Sequence, residues 1–209
     1  MAGNNGNFCL CCRFGEISKF SNDFFLEEMI RNSALVHSEE PDDAQCRAWL
    51  SSLKVLKKTL KSLPECYVDT YLVFEYVLPK HKPGTRKAET EEGIRPDVLV
   101  VGTDFVTVLE FKQRKLDDDG TVFDGYIKQA QKYVTRLNRY HAASQDRYVA
   151  PVVVLTLEKG LLEDRGEAVI ASPDRLAEAI VLLDGETTEA LGYPGIRAWL
   201  GSEISSDQN

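Results

Sequence analysis

The chain has 209 residues, a formal net charge of −8, and 43% hydrophobic against 28% charged residues, ordinary values for one globular domain with terminal embellishments. No apolar run is long enough to span a bilayer, the N-terminus lacks a signal-peptide pattern, and five cysteines without framework spacing suit a reducing compartment; a cytoplasmic protein without membrane association is expected. The acidity is uneven: residues 157–209 hold 4 Lys/Arg against 11 Asp/Glu, and residues 1–156 hold 21 against 22, so the larger part permits a polyanionic partner without requiring one.

Residues 1–20 form an expected flexible N-terminal segment, Gly/Asn-rich to Asn7. Cys9 and Cys12 make one CxxC pair, but a zinc site normally needs a second. Cys46, Cys66 and His37 have no such spacing, which leaves buried or simply reduced thiols. A domain over 21–200 follows. Ser21-Asn22-Asp23 caps a helix to about Val36, and a second helix runs from about Asp43 to Leu63. Its buried stripe is Trp49, Leu53, Leu56, Leu60 and Leu63. Lys54, Lys57, Lys58 and Lys61 lie off that stripe, either as a solvated face or as one that tracks phosphates.

Pro64 ends this helix, and Thr70 to Leu78 reads as a strand with Leu72, Phe74, Tyr76 and Leu78 on one face. Glu75 takes the other face between Val73 and Val77. A carboxylate there is costly unless paired, bound to a cation or at a wet edge. Pro79 to Gly93 is a polar loop carrying Lys82 and Arg86, at the mouth of whatever site the next elements build.

Those elements are Arg95 to Gly102 and Phe105 to Lys112, two β-branched runs joined by a Gly-containing turn, which is a β-hairpin pattern. Glu110 and Lys112 are two apart and leave one face; Phe105, Thr107, Leu109 and Phe111 take the opposite, core face. The hairpin returns Glu110 and Lys112 to the end where Asp97 enters. Two carboxylates and an ammonium together suit metal-assisted phosphodiester hydrolysis, because Mg²⁺ takes carboxylate oxygens and keeps waters and a substrate phosphate in its other positions. The competing reading is a hairpin with a cross-sheet ion pair.

After the solvated turn at Asp117-Asp118-Asp119-Gly120, a helix from about Gly125 to Ala143 has a core stripe of Tyr126, Ala130, Tyr133, Leu137 and Tyr140. A second stripe, Gln129, Lys132, Arg136 and Arg139, is the best basic face in the chain; it either tracks a nucleic-acid strand or only solubilises. Pro151 to Leu157 is a strand buried on both faces, and Ala168 to Ala171 a short strand. Ser172 as N-cap and Pro173 at the first position start another helix. Residues 201–209 are an expected frayed tail.

Pro96-Asp97 followed by Glu110-x-Lys112 resembles the PD-(D/E)xK motif of restriction-endonuclease-like nucleases. The order of elements is similar to that superfamily's α-β-β-β-α-β core, an α/β fold with a mixed central sheet flanked by helices. Trp49, Phe74 to Pro79, Arg95, Val108 to Lys112, Gln129 with Tyr133, Leu137 and His141, and Pro151 to Leu155 look most like the nuclease-like domain ahead of the motor in some superfamily-one helicase-like ATPases. The resemblance covers roughly residues 20–160.

It implies a Mg²⁺- or Mn²⁺-dependent nuclease, acting on DNA with RNA not excluded, in defence against phage or in repair. Asp97 and Glu110 would hold the metal, Glu75 would be an accessory acid and ligand, Lys112 would position the attacking water, and Gln129 would assist. Arg95, Lys132, Arg136, Arg139, Lys82 and Arg86 would contact the nucleic acid. The alternative is a catalytically silent module of the same fold that grips nucleic acid, a protein partner or a second copy of itself. No G-x-x-x-x-G-K-[ST] loop occurs, so these residues hold no ATPase motor; the expectation is a stand-alone nuclease or a piece of something longer.

Overall fold

The computed structural model describes residues 7–37, 40–78, 95–184 and 191–202. The loop after Leu78, with Lys82 and Arg86, lies outside them, as do residues 1–6 and 203–209. Seven strands form one mixed sheet: β1 (Leu10–Arg13), β2 (Tyr71–Phe74), β3 (Val98–Val101), β4 (Phe105–Lys112), β5 (Tyr148–Leu155), β6 (Leu162–Asp164) and β7 (Val169–Ala171), in the order β1-β2-β3-β4-β5-β7-β6. The first four are antiparallel neighbours, β4–β5 and β5–β7 are parallel, and β6 returns antiparallel to β7.

Helices cover both faces of this sheet. On one side α1 (Asn22–His37), α2 (Asp43–Leu60) and α4 (Leu176–Asp184) pack Phe25, Met29, Trp49, Leu53, Leu56 and Ile180 against Leu72, Val98, Leu109 and Val152. On the other side α3 (Asp124–Tyr140) and α5 (Gly192–Leu200) pack Tyr133, Leu137, Ile196 and Trp199 against Val73, Leu99, Val106 and Val108. The α3 helix is the crossover that the parallel β4–β5 pair requires. Local chemistry sets the helix starts. The Phe24 N–H donates to Ser21 Oγ at 3.0 Å, and the Gln45 N–H to Asp42 Oδ1 at 2.7 Å.

Several boundaries differ from the sequence expectation. The second helix stops at Leu60, with a turn carrying Leu63. The segment around Cys9 to Cys12 is a buried edge strand, with Cys9 and Cys11 thiols pushed up to about 12 by burial. Ser172 does not cap α4. Its hydroxyl accepts from the Leu161 N–H and donates to Asp174, so the helix begins at Leu176.

The largest correction is at Glu75. The strand stops at Phe74, and Glu75 has φ 51°, a left-handed conformation that costs a non-glycine residue about 1–3 kcal/mol. The kink inverts the alternation. Leu72 and Phe74 face α1 and α2, but Tyr76 and Leu78 face α3 and α5.

The β3–β4 hairpin turns at Gly102, whose N–H donates to the Phe105 carbonyl at 3.0 Å. A Cβ on Gly102 would lie 2.1 Å from the ring of Phe105, itself 3% exposed. Gly102→Ala should therefore cost about 1–3 kcal/mol through overpacking, lowering the melting midpoint by about 2–10 °C. Thermal unfolding followed by circular dichroism checks this.

Candidate active site

Three acidic residues lie around the point where β2 ends, β3 begins and β4 nears its end. The antiparallel register sets Val98 against Leu109, so Asp97, one residue before β3, comes beside Glu110 and Phe111. Asp97 Oδ2 accepts the Phe111 N–H at 2.7 Å; the side chain takes the place of a ladder partner and is fixed at the sheet's end. The Glu75 N–H donates to the Asp97 carbonyl at 3.2 Å, which ties the third acid to the same point.

Each acid has a different environment. Glu75, 5% exposed, is turned under α2 by its left-handed backbone. Its Oε1 accepts from Trp49 Nε1 at 2.9 Å and Gln45 Nε2 at 3.1 Å. Burial and the Asp97 charge push its carboxyl up to about 7, opposed by these donors and Arg95. Glu110, 1% exposed, is on the α3 face. Its Oε1 pairs with Lys112 Nζ at 2.6 Å, while its buried Oε2 has no hydrogen-bond partner. Burial, then the Asp97 charge, push it up to about 8 against the pull of Lys112. Burial also raises Asp97, opposed by the Phe111 N–H and the Lys112 ammonium.

Lys112 is held from three sides. Besides Glu110 it donates to Gln129 Oε1 at 3.0 Å, and it lies 5.2 Å from the centre of the Tyr126 ring. Gln129 Nε2 in turn donates to the Tyr133 hydroxyl at 2.9 Å. Tyr133, assigned to the core by its periodicity, thus belongs to the site network. Burial and the charges of Glu110, Asp97 and Glu75 push its phenol up, keeping it neutral. Its position one turn after Gln129 was the available signal.

The remaining candidates spread outward. Arg95 is half-buried and close enough to Glu75 to lower it. Lys132 and Arg139 are exposed, and Arg136 stacks 5.2 Å from the Tyr140 ring centre. They run along α3 away from Gln129. His141 is fully buried against Trp199, with Nδ1 2.7 Å from Ser144 Oγ, and burial lowers it to about 4. It is a packed neutral imidazole and does not join the acids.

A cavity of about 170 Å³ opens on the α2 side, lined by Glu75, Asp97, Gln45, Trp49, Ser52 and Gln113 among others, with room for several waters. Glu110 lies across the sheet from it, so Asp97 alone of the three stands between the two faces. No protein-family model, curated protein or solved structure matches this chain. Among the described residues, no three His, Cys, Asp or Glu side chains are grouped as a metal cage. Mg²⁺, however, is typically held by one or two carboxylates with waters completing its shell. Asp97 and Glu110, with the unpartnered Oε2 and a Glu110 carboxyl raised by burial and the Asp97 charge, fit that mode.

The raised carboxyls set a pH dependence. Folding favours protonated Glu75 and Glu110 (about 7 and 8 folded, 4.5 as the ordinary value), so the stability they contribute is full below about pH 4.5 and is lost as pH rises through 7 and 8. Asp184, raised to about 7 by burial at the other end of β4, acts in the same sense. His141 acts oppositely, but only below its ordinary 6.5. Between pH 6.5 and 9 in EDTA the melting midpoint should therefore fall. Millimolar Mg²⁺ or Mn²⁺ should recover several degrees at pH 8, and Glu110→Gln should shrink both the slope and the recovery. Differential scanning calorimetry measures all three.

Proposed function

We propose that this chain is a divalent-metal-dependent nuclease of the restriction-endonuclease-like kind, hydrolysing phosphodiester bonds, with DNA as the first substrate to test. The observation carrying this reading is the meeting of Asp97, Glu110 and Lys112, with a buried carboxylate oxygen left unpartnered beside a fixed ammonium. The order α2-β2-β3-β4-α3-β5, equivalent to α-β-β-β-α-β, supports it too.

Asp97 and Glu110 would hold the cation, and when bound it would polarise a water and neutralise charge on the phosphate. The chain's own contribution is positional. Asp97 is locked by the Phe111 N–H and Glu110 by Lys112, so neither carboxylate has to be ordered when substrate arrives. An ammonium has three donors. Two of those on Lys112 go to Glu110 and Gln129, and among the described residues the third is uncommitted. It can orient an incoming water or donate to a phosphate oxygen as charge develops there. The Tyr133–Gln129 bond keeps the amide oxygen turned toward Lys112. Water attacks phosphorus in line and gives up a proton to solvent, the P–O bond to the leaving sugar oxygen breaks, and that oxygen takes a proton from solvent.

Two observations favour the silent alternative: Lys112 closes on Glu110, and among the described residues no three-ligand group is present. Cleavage of single- and double-stranded DNA, and of RNA, in Mg²⁺, Mn²⁺ or EDTA separates the two. Wild type should cut only with metal, and Lys112→Ala and Asp97→Ala should each lose about 100-fold or more. Equal cutting by all three proteins would overturn the assignment. No cutting, with metal-dependent stabilisation retained, would leave a binding module.

A further inference from the structure

Between Asp43 and Glu65 the sequence has no acidic residue and five basic ones, Arg47, Lys54, Lys57, Lys58 and Lys61, in a chain of net charge −8. The structure turns four of these to one place. Lys54, Lys57 and Lys58 on the outer face of α2 and Lys61, its C-cap, recur at helical spacing, and with Asn22 and Ser51 they line an open groove of about 450 Å³. Ser51 also lines the cavity that holds Glu75 and Asp97. Groove and carboxylate cavity are therefore adjacent, on the helix whose Trp49 and Gln45 fix Glu75.

The four lysines are not equivalent. Lys57 is half-buried, and its Nζ donates to the Phe20 carbonyl at 2.5 Å, pinning α2 to the segment before α1. Lys54, Lys58 and Lys61 are exposed and have no ion-pair partner among the described residues. Asp23, the neighbour of Asn22 on α1, does not line the groove. Lys54 to Lys61 spans about 10 Å of helix, about three phosphate steps of one DNA strand at roughly 3.4 Å each.

We infer that the α2 lysine groove is a second nucleic-acid contact, in which Lys54, Lys58 and Lys61 hold about three backbone phosphates of the strand that leads into the Asp97 site. The inference rests on the nuclease reading for its direction along the strand, but binding can be read without catalysis. These are non-specific phosphate contacts, carried by charge, with Lys57 as the wall that positions them.

The test is binding of fluorescently labelled single- and double-stranded DNA by anisotropy, in EDTA, as a function of NaCl. Wild type is compared with the triple variant Lys54→Gln/Lys58→Gln/Lys61→Gln, which leaves Lys57 in place, and with Lys132→Gln/Arg136→Gln/Arg139→Gln. Circular dichroism verifies that the variants fold. Losing three phosphate contacts should lower the slope of log affinity against log salt by about 2 to 3. Between 50 and 200 mM salt, wild type should then lose about 20- to 40-fold more affinity than the α2 variant. An unchanged slope in the α2 variant would overturn the groove and leave the nuclease reading intact. So would binding of anionic phospholipid vesicles, but not of DNA, that is lost in that variant. Absence of DNA binding by wild type would also overturn it, while cleavage, measured separately, decides the nuclease reading.

Discussion

The register that sets Val98 of β3 against Leu109 of β4 fixes everything around it. It brings Asp97 to the Phe111 N–H, and it leaves Glu110 on the next position of a strand buried on both faces. Because β4 lies between β3 and β5 and under α3, Glu110 is almost fully covered; it is 1% exposed. Burying an ionised carboxylate is expensive unless something compensates. Lys112 offsets part of that cost through one oxygen. The other oxygen is left without a donor, in a structure whose remaining buried polar side chains mostly find one. Burial and the neighbouring Asp97 charge therefore favour the protonated form of Glu110 until a cation or a second donor compensates it.

Glu75 is the less intuitive member of the group. A regular strand would have placed it beside Val73, on the α3 face with Glu110, where two buried carboxylates would repel with only Lys112 between them. The left-handed turn at φ 51° sends it instead under α2, to the indole and amide donors of Trp49 and Gln45. The backbone strain at one residue separates two like charges across the sheet and leaves Asp97 as the only acid between them. The same turn reverses the facing of Tyr76 and Leu78, so that Tyr76 packs its ring on Trp199 and His141. One kink thus shapes both the electrostatics of the site and the aromatic cluster beneath α5.

The hairpin and the positions of Asp97, Glu110 and Lys112 were legible because they depend only on period-two alternation and a short turn, both of which are local. The doubly buried β5 followed from an unbroken apolar run, and the mixed sheet was expected from the order of elements and the family resemblance. Glu75 was not legible, since nothing in Phe74-Glu75-Tyr76 marks a positive φ; glycine or asparagine would have. Ser172 misled for a similar reason: Ser-Pro-Asp is a helix-start pattern, but its hydroxyl is used by Leu161, a partner eleven residues away. Tyr133 was hidden because a tyrosine on an apolar stripe satisfies the core pattern whether or not its hydroxyl serves the site. The misses at Ser172 and Glu75 are a long-range hydrogen bond and a single unusual dihedral, neither of which has a periodicity.

The net charge of −8 is distributed in a way that keeps it from working against a polyanion at the site. Glu163, Asp164 and Glu167 lie on or beside β6, the far edge of the sheet. Four strand spacings separate β6 from β3, about 19 Å at roughly 4.8 Å each. That is about twice the Debye length at physiological salt, so the field of the acidic edge is largely screened before it reaches Asp97. From Ala44 to Pro64, through α2 and the turn after it, the chain beside the site carries five cations and no acids. What governs approach to the carboxylates is therefore the local balance of α2 and α3, and the acids on β6 act at the opposite edge, where they favour solubility rather than opposing a phosphate backbone.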